Sequence, residues 1–304
     1  MIYEAINKMN SLYEKGKRYH LLSQILFGIG VALLLFVVFT MPSMFMFGVG
    51  GAALCCLISI IFFAPESKSA MNTLRSEYKD TFLPGMLNDY FEHAKFEYWG
   101  GLTEMEIMQT SLYKLGNRLE SEDLLTGEYK GVSFKQADVH IWNHVKKEKK
   151  DEDIEYFDGR IIMFDTKSDY SSSVRVISRP RTSSKGDYRL GFDEEHRVEM
   201  ESMEFNDLFT VYARTSHDAF YMLTPEVMER IMAISRQYGK NEKNQYRDMS
   251  FHFRDNKFYF AVENGGSAFE PGKFPISYPD EKEKLEKDIR IIMELIDCFA
   301  FIEK

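Results

Sequence analysis

Residues 124–145, LLTGEYKGVSFKQADVHIWNHV, change the hydrophobic period of the chain from that of a helix to that of a strand. Val139, Ile141 and Val145 alternate with His140, Trp142 and His144, a period of two that suits a strand with one buried face. Leu124–Tyr129, a Lys130-Gly131 turn and Val132–Val145 therefore read as a β-hairpin. Further strands are expected at Arg160–Phe164, Ser173–Ser178, Asp187–Phe192, Arg197–Ser202 and Phe209–Arg214. A second hairpin joins Met249–Phe253 to Phe258–Val262 through Asp255-Asn256-Lys257. Helices lie at the margins. Thr103 with Glu106 reads as a capping box opening a short helix to about Tyr113, and Thr224-Pro225-Glu226 as the start of another. A last helix after Pro279 lines up Leu285, Ile289, Ile292, Ile296 and Phe299. Strands in runs, with helices outside them, predict an α+β domain with a mainly antiparallel sheet over 101–304.

Toward the N-terminus the chemistry changes. Between Arg18 and Glu66 there is no Asp, Glu, Lys or Arg. Leu21–Met41 is long enough to cross a hydrocarbon core of about 30 Å, and Met44–Ala64 follows after only Pro42 and Ser43. A two-helix transmembrane hairpin over 21–64 is expected, its helices antiparallel. Neither run has the short h-region and small-residue cleavage site of a signal peptide. Gly48, Ala52, Cys55 and Ser59 fall on one face of the second run, with Gly28 and Ala32 as the expected facing pair. Lys8, Lys15, Lys17 and Arg18 precede the hairpin and Lys68, Arg75 and Lys79 follow it, which puts both termini on the cytoplasmic side of an inner membrane. No ionisable group lies within the runs, which argues against an ion path. Residues 1–20 read as an amphipathic cytoplasmic helix, and 65–100 as a helical connector. The two flanking helices are expected to pair as a stalk, or the first to lie on the bilayer surface. Within the connector, Pro84-Gly85 interrupts the helix, and Met86, Leu87, Tyr90, Phe91 and Ala94 mark a second helical piece.

The chain has 304 residues, 28% of them charged, and a net charge of −9, which disfavours a nucleic-acid partner. Three cysteines, Cys55, Cys56 and Cys298, make no disulfide framework.

SLYKLGNRLESEDLLTGEYKGVSF, VEMESMEFNDLFTVYARTSHDAFYMLTPEVMERI and SFHFRDNKFYFAVENGGSAFE together resemble a bacterial membrane-protein family, catalogued as domain of unknown function thirty-one thirty-seven. Ser111, Asp123, Gly127, Gly131 and Phe134 fit its pattern in the first stretch; Glu201, Phe205, Phe209, Tyr212, Thr224 and Pro225 are among those that fit in the second. The resemblance implies two spans ahead of a cytoplasmic domain and supplies no activity. It also implies, through helical membrane proteins of the LemA type encoded near such families, a membrane-anchored helical partner.

Candidate chemistry is sparse. His140 and His144 have the spacing of helical metal ligands but sit in a strand pattern without a carboxylate motif, so no metal is expected. Cys298 has apolar neighbours, unlike a catalytic thiolate. Glu122 and Asp123 beside Gly127 fit a hairpin as well as acid chemistry. Gly100-Gly101 and Gly265-Gly266 lack the context of a phosphate loop. Arg175, Arg179, Arg181 and Lys185, with Arg189, form a basic stretch in a serine-rich segment of an acidic chain. They are the candidate binding residues, for anionic headgroups or an acidic partner, set against a solvated loop. No catalytic residue and no cofactor is indicated. The expected function is a membrane-anchored interaction module that binds a protein partner or the inner membrane surface; the alternative is an enzyme whose site is assembled from dispersed residues.

Overall fold

The computed structural model describes residues 2–40, 45–147, 151–166, 173–178, 195–239, 247–263 and 268–300. The chain forms two compact units, one of Met1–Gly85 with Glu270–Lys284, the other of Met86–Phe269 with Leu285–Lys304. The first is helical and the second is built on a sheet.

In the helical unit α1 runs unbroken from Ile2 to Thr40, so the amphipathic segment and the first apolar run are one helix. It packs along α2 (Phe45–Ile58) and α3 (Ala64–Glu77), which are joined by a π-helical turn, Ser59–Phe63. Ile6 and Met9 of α1 are enclosed, as are Ala70 and Leu74 of α3, so the two flanking helices pair along their length, while Met71 is exposed. Lys8 reaches Glu77 at 2.6 Å, and Ser67 donates to the Gly16 carbonyl at 3.1 Å. Farther along, Gly30 sits where an added Cβ would lie 3.2 Å from Ala52 and Cys55, whereas a Cβ added at Gly28 would meet nothing from a neighbouring helix within 4 Å. The close approach therefore falls one half-turn beyond the Gly28 position expected, and Ala32 is exposed. Ser23 and Ser59 meet at 2.7 Å. Leu21, Ile25, Phe27, Ile29, Leu33, Phe36, Leu54, Leu57 and Ile61 are exposed. Among the described residues no helix is long and apolar enough to cross a membrane. In α1 the unbroken run of described side chains ends at Leu33, and α2 has 14 residues.

Residues 270–284 complete this unit by polar contacts. The Asn10 amide donates to the Ile276 carbonyl at 2.9 Å and accepts from the Ile276 N–H at 2.8 Å, doing for that backbone what a neighbouring strand would do. Tyr13 stacks on Phe274. Buried Lys79 pairs with Glu270 at 2.9 Å, and Tyr78 donates to buried Glu281 at 2.8 Å.

The sheet unit begins differently from the expectation. After α4 (Leu83–Leu87) the chain turns and Glu92–Glu97 is an edge strand, β1, not a second helical piece. His93 takes a positive φ of 52°, which is incompatible with continuing a helix, and β1 pairs antiparallel with β2 (Arg118–Tyr129). β3 (Val132–Val145) follows through Lys130 and Gly131, both at positive φ, the backbone of a type I′ turn. β4 is Glu152–Asp165, β5 Ser173–Ser178, β6 His196–Val198, β7 Phe209–Ala213, β8 Met249–Arg254 and β9 Lys257–Glu263. These nine strands form one antiparallel sheet in the order β1-β2-β3-β4-β9-β8-β5-β7-β6. The strand expected at 187–192 lies outside the described residues. The strand expected to reach Ser202 stops at Val198, because the Ser202 side chain caps the short helix α6 (Met203–Leu208). α5 (Glu104–Thr110), α7 (Ser216–Met222), α8 (Pro225–Tyr238) and α9 (Tyr278–Phe299) complete the list, with α5 and α8 opening on Thr103 and Thr224.

Two neighbouring rows of the ladder show how the sheet is sided. Phe96, Leu125, Gln136, Ile162, Phe260, Phe251, Val176, Val211 and Val198 face one another in register across all nine strands, nearly all apolar, and Phe251 meets Phe299 of α9. One residue along, and so on the opposite face, the row is Lys95, Thr126, Lys135, Met163, Tyr259, His252, Arg175, Tyr212 and Arg197. That second row is where the polar chemistry of the sheet unit is concentrated.

Candidate binding cleft and buried polar network

α5 stands over the polar row. The Thr103 hydroxyl accepts from the Glu106 N–H at 3.2 Å, while one Glu106 carboxylate oxygen accepts from the Thr103 N–H at 2.8 Å. This leaves the other oxygen free to accept from Lys135 Nζ on β3 at 2.6 Å. Burial works to raise the Glu106 carboxyl, but the hydrogen bonds from Lys135 and Thr103 outweigh it and hold the group below the usual carboxylate value. At the other end of the row, Lys257 opens β9 directly after Asp255 and Asn256, both at positive φ, and pairs with Asp165 of β4 at 2.6 Å.

Between these two ion pairs lies a half-open cleft of about 600 Å³. Its floor comprises Thr126, Lys135, Met163 and Tyr259 from the polar row, with Glu128, Ser133, Asp165 and Lys257 two residues along. Gln109 of α5 and His93 of β1 border it. Tyr259 is 5% exposed, and its hydroxyl has no hydrogen-bond partner among the described residues. Burial raises the phenol above its ordinary value, so it is a donor at neutral pH.

The row continues into a closed network. His252 Nδ1 lies 2.7 Å from the Thr110 carbonyl, which can only accept, so Nδ1 carries the proton and Nε2 faces the Ser173 hydroxyl at 2.8 Å. Ser173 also lies 2.9 Å from Glu195, whose second oxygen accepts from Arg175 Nε at 2.7 Å and from its Nη2 at 2.6 Å. The Arg175 guanidinium lies over the Tyr212 ring. Burial first, with the charges of Arg175 and Arg254 adding to it, pushes His252 down to about 3. A serine beside a histidine and a carboxylate invites comparison with a nucleophilic triad, but the roles do not match. The carboxylate contacts the serine and not the imidazole, the imidazole is a poor base near neutral pH, and Ser173 is buried. The arrangement is a buried polar core in which the one Ser173 proton serves either His252 Nε2 or the Glu195 carboxylate.

Of the basic stretch, Arg175 is an inward-facing residue of β5, 1% exposed and paired with Glu195, and so lies in no solvated loop. Arg179, Arg181, Lys185 and Arg189 lie outside the described residues. His140 stacks on Trp142, and His144 contacts Asp153 at 2.7 Å. No group of three or more His, Cys, Asp or Glu among the described residues is placed to hold a metal. Asp123 is buried at a register shift of β2, at φ 57°. Cys298 is half-buried, its thiol pushed up by burial. Gly100 caps the β1–β2 connection by accepting from the Leu124 N–H, and Gly265-Gly266 lies outside the described residues. Tyr259, Lys257 and Lys135 were not singled out by sequence as site residues, and Glu106 was read only as part of a helix cap. The alternation of Lys257 with Tyr259 and of Ser133 with Lys135 marks their shared faces, but nothing local puts β4 beside β9.

Residues 155–303 match the family described as Protein of unknown function (DUF3137). The chain carries a DUF3137 domain. The match spans β4 to the end of α9 and includes the second and third of the three resembling stretches; the first lies ahead of it. No curated protein matches the sequence. Among solved structures, the crystal structure of the mycobacterial trehalose monomycolate transport factor A, TtfA, is 10% identical, with 76% of this chain and 96% of that chain covered at a TM-score of 0.36.

Proposed function

We propose that the protein is a membrane-anchored interaction module: residues 21–64 insert in a bilayer as a helical hairpin, and the sheet unit offers a binding surface on the cytoplasmic side. The observation that carries the reading is the inverted polarity of α1 and α2. Their large apolar side chains point outward, while Ser23 and Ser59 satisfy one another between the helices. In water such a surface would be an association liability; in hydrocarbon it is the solvated state, and the serine pair is the arrangement polar side chains adopt there. The charge-free stretch from Tyr19 to Pro65 and the basic flanks on either side support both the insertion and its orientation.

The partner is a protein or the inner membrane surface, not a nucleic acid, given a net charge of −9. Alkaline carbonate washing of membranes tests the anchor: the chain is expected to stay in the pellet, and its release into the supernatant would overturn the reading. Crosslinking in intact cells, followed by detergent purification and mass spectrometry, tests the module. A reproducible stoichiometric partner is expected. A solitary protein that also ignores anionic vesicles would remove the interaction role.

A further inference from the structure

The geometry points to the cleft over β3, β4 and β9 as a receptor for a short extended peptide that carries charges of both signs. This names the partner chemistry of the binding module proposed above and rests on that reading.

Three features of the cleft converge on such a ligand. The first is its length. Lys135 and Lys257 stand two strands and two register steps apart, which at about 4.8 Å per strand and about 7 Å per two residues is a diagonal of roughly 12 Å. About four extended residues span it at about 3.3 Å each. The second is the pairing of charge at both ends. Glu106 holds Lys135 and Asp165 holds Lys257, and both lysines are half exposed. A ligand of one sign would gain one member of each pair and repel the other, whereas a peptide with an acidic and a basic residue can engage a lysine at one end and a carboxylate at the other. Glu128 adds a further carboxylate to the floor, which weighs against a polyanion. The third is the middle. Met163 offers an adaptable apolar surface, and the Tyr259 hydroxyl, protonated and without a partner among the described residues, is a donor waiting for an acceptor such as a peptide carbonyl. The hydroxyl faces the cleft, where a ligand carbonyl would take the place of water as its acceptor.

The test uses the full chain in detergent micelles at low ionic strength and three fluorescent tetrapeptides with blocked termini: Glu-Leu-Ser-Lys, Glu-Leu-Ser-Glu and Lys-Leu-Ser-Lys. Anisotropy titration is expected to give the mixed-charge peptide an affinity on the order of tenfold above either like-charged one. Tyr259→Phe, which removes only the hydroxyl, is expected to weaken the mixed peptide by about three- to tenfold. Lys257→Met is expected to abolish its preference over the basic peptide. Equal affinity for all three peptides, no binding at millimolar peptide, or indifference to both substitutions would each overturn the assignment. A chain that keeps its crosslinked partner in cells but ignores the peptides would sink the cleft and leave the module standing; a chain washed from membranes that still discriminates the peptides would do the reverse.

Discussion

In the helical unit Leu21, Phe27, Leu54 and Ile61 are turned outward and a pair of serines meets inside; in the sheet unit Phe251, Phe258 and Phe260 are fully enclosed. Both units nonetheless bury charge. Lys79 with Glu270 and Tyr78 with Glu281 hold 270–284 in the first, and Arg175 with Glu195, Ser173 and His252 spans β5 and β8 in the second. On the proposed insertion, apolar exposure follows the solvent around each part, whereas a buried polar cluster fixes which segments meet. The proposed bilayer explains the first kind of surface and has no bearing on the second.

The largest effect expected from breaking this contrast is at Arg175. Replacing one member of a fully buried pair strands the other, at a cost of about 3–5 kcal/mol, whereas replacing both with apolar groups of similar size is often close to neutral. Arg175→Met is therefore expected to bring urea unfolding of the sheet unit to much lower denaturant, and Arg175→Met with Glu195→Met to recover most of the loss. If the single variant unfolds like the parent, the pair does not hold the strands.

Next is the close approach within the helical unit. Gly30→Val places its side chain against the Ala52 backbone and Cys55, and overpacking there is expected to cost about 1–3 kcal/mol. Gly28→Val, with nothing within 4 Å, is the matched control. The readout is disulfide formation between Ser23→Cys and Ser59→Cys, whose parent hydroxyls are 2.7 Å apart. Gly30→Val should slow it and Gly28→Val should not. Equal rates in the two variants would mean that α1 and α2 do not meet at Gly30.

A third test uses pH. His252 lies near 3 in the fold against an ordinary 6.5, so between those values the unfolded chain binds more protons than the native one. Its contribution to stability is complete above about pH 6.5 and is lost as pH falls toward 3, by up to about 1.4 kcal/mol per pH unit. The groups around it do not supply an opposing proton site: Arg175 and Arg254 are cationic, Ser173 is neutral, and Glu195 is engaged by Arg175. Urea midpoints measured from pH 7 to 5 should fall in the parent and flatten in His252→Gln. An unchanged slope would assign the acid sensitivity to other groups.

How much of this was legible in the sequence follows from how local each feature is. Lys130-Gly131, Asp255-Asn256, the Thr103–Glu106 box and the Thr224 cap act within a few residues, and each stands where the sequence put it. The strand at 92–97 was misread because Met86, Leu87, Tyr90, Phe91 and Ala94 keep a helical spacing, whereas the helix ends at Leu87 and the chain turns before His93 enters the strand at positive φ. Gly28 and Gly30 could not be ranked, since both lie in the same small-residue region and the partner helix decides between them. Arg175 looked like part of a basic surface because its partner, Glu195, is twenty residues away and invisible to composition. The cleft needed the non-local adjacency of β4 with β9, which no spacing encodes.

The smallest effect expected is at the cap that aims the cleft. Thr103→Ala removes the acceptor for the Glu106 N–H and costs about 1 kcal/mol of stability. The same change frees Glu106 from the box, because the Thr103 hydroxyl also donates to its carboxylate at 2.8 Å. Lys135 then loses a fixed partner, and the mixed-charge peptide should lose discrimination at that end while Lys257 still reads the other. Thr103→Ser keeps the hydroxyl and should restore both stability and discrimination. If alanine lowers stability but leaves peptide selectivity intact, the cap serves α5 alone, and Lys135 holds its place by packing on β3 without help from Glu106.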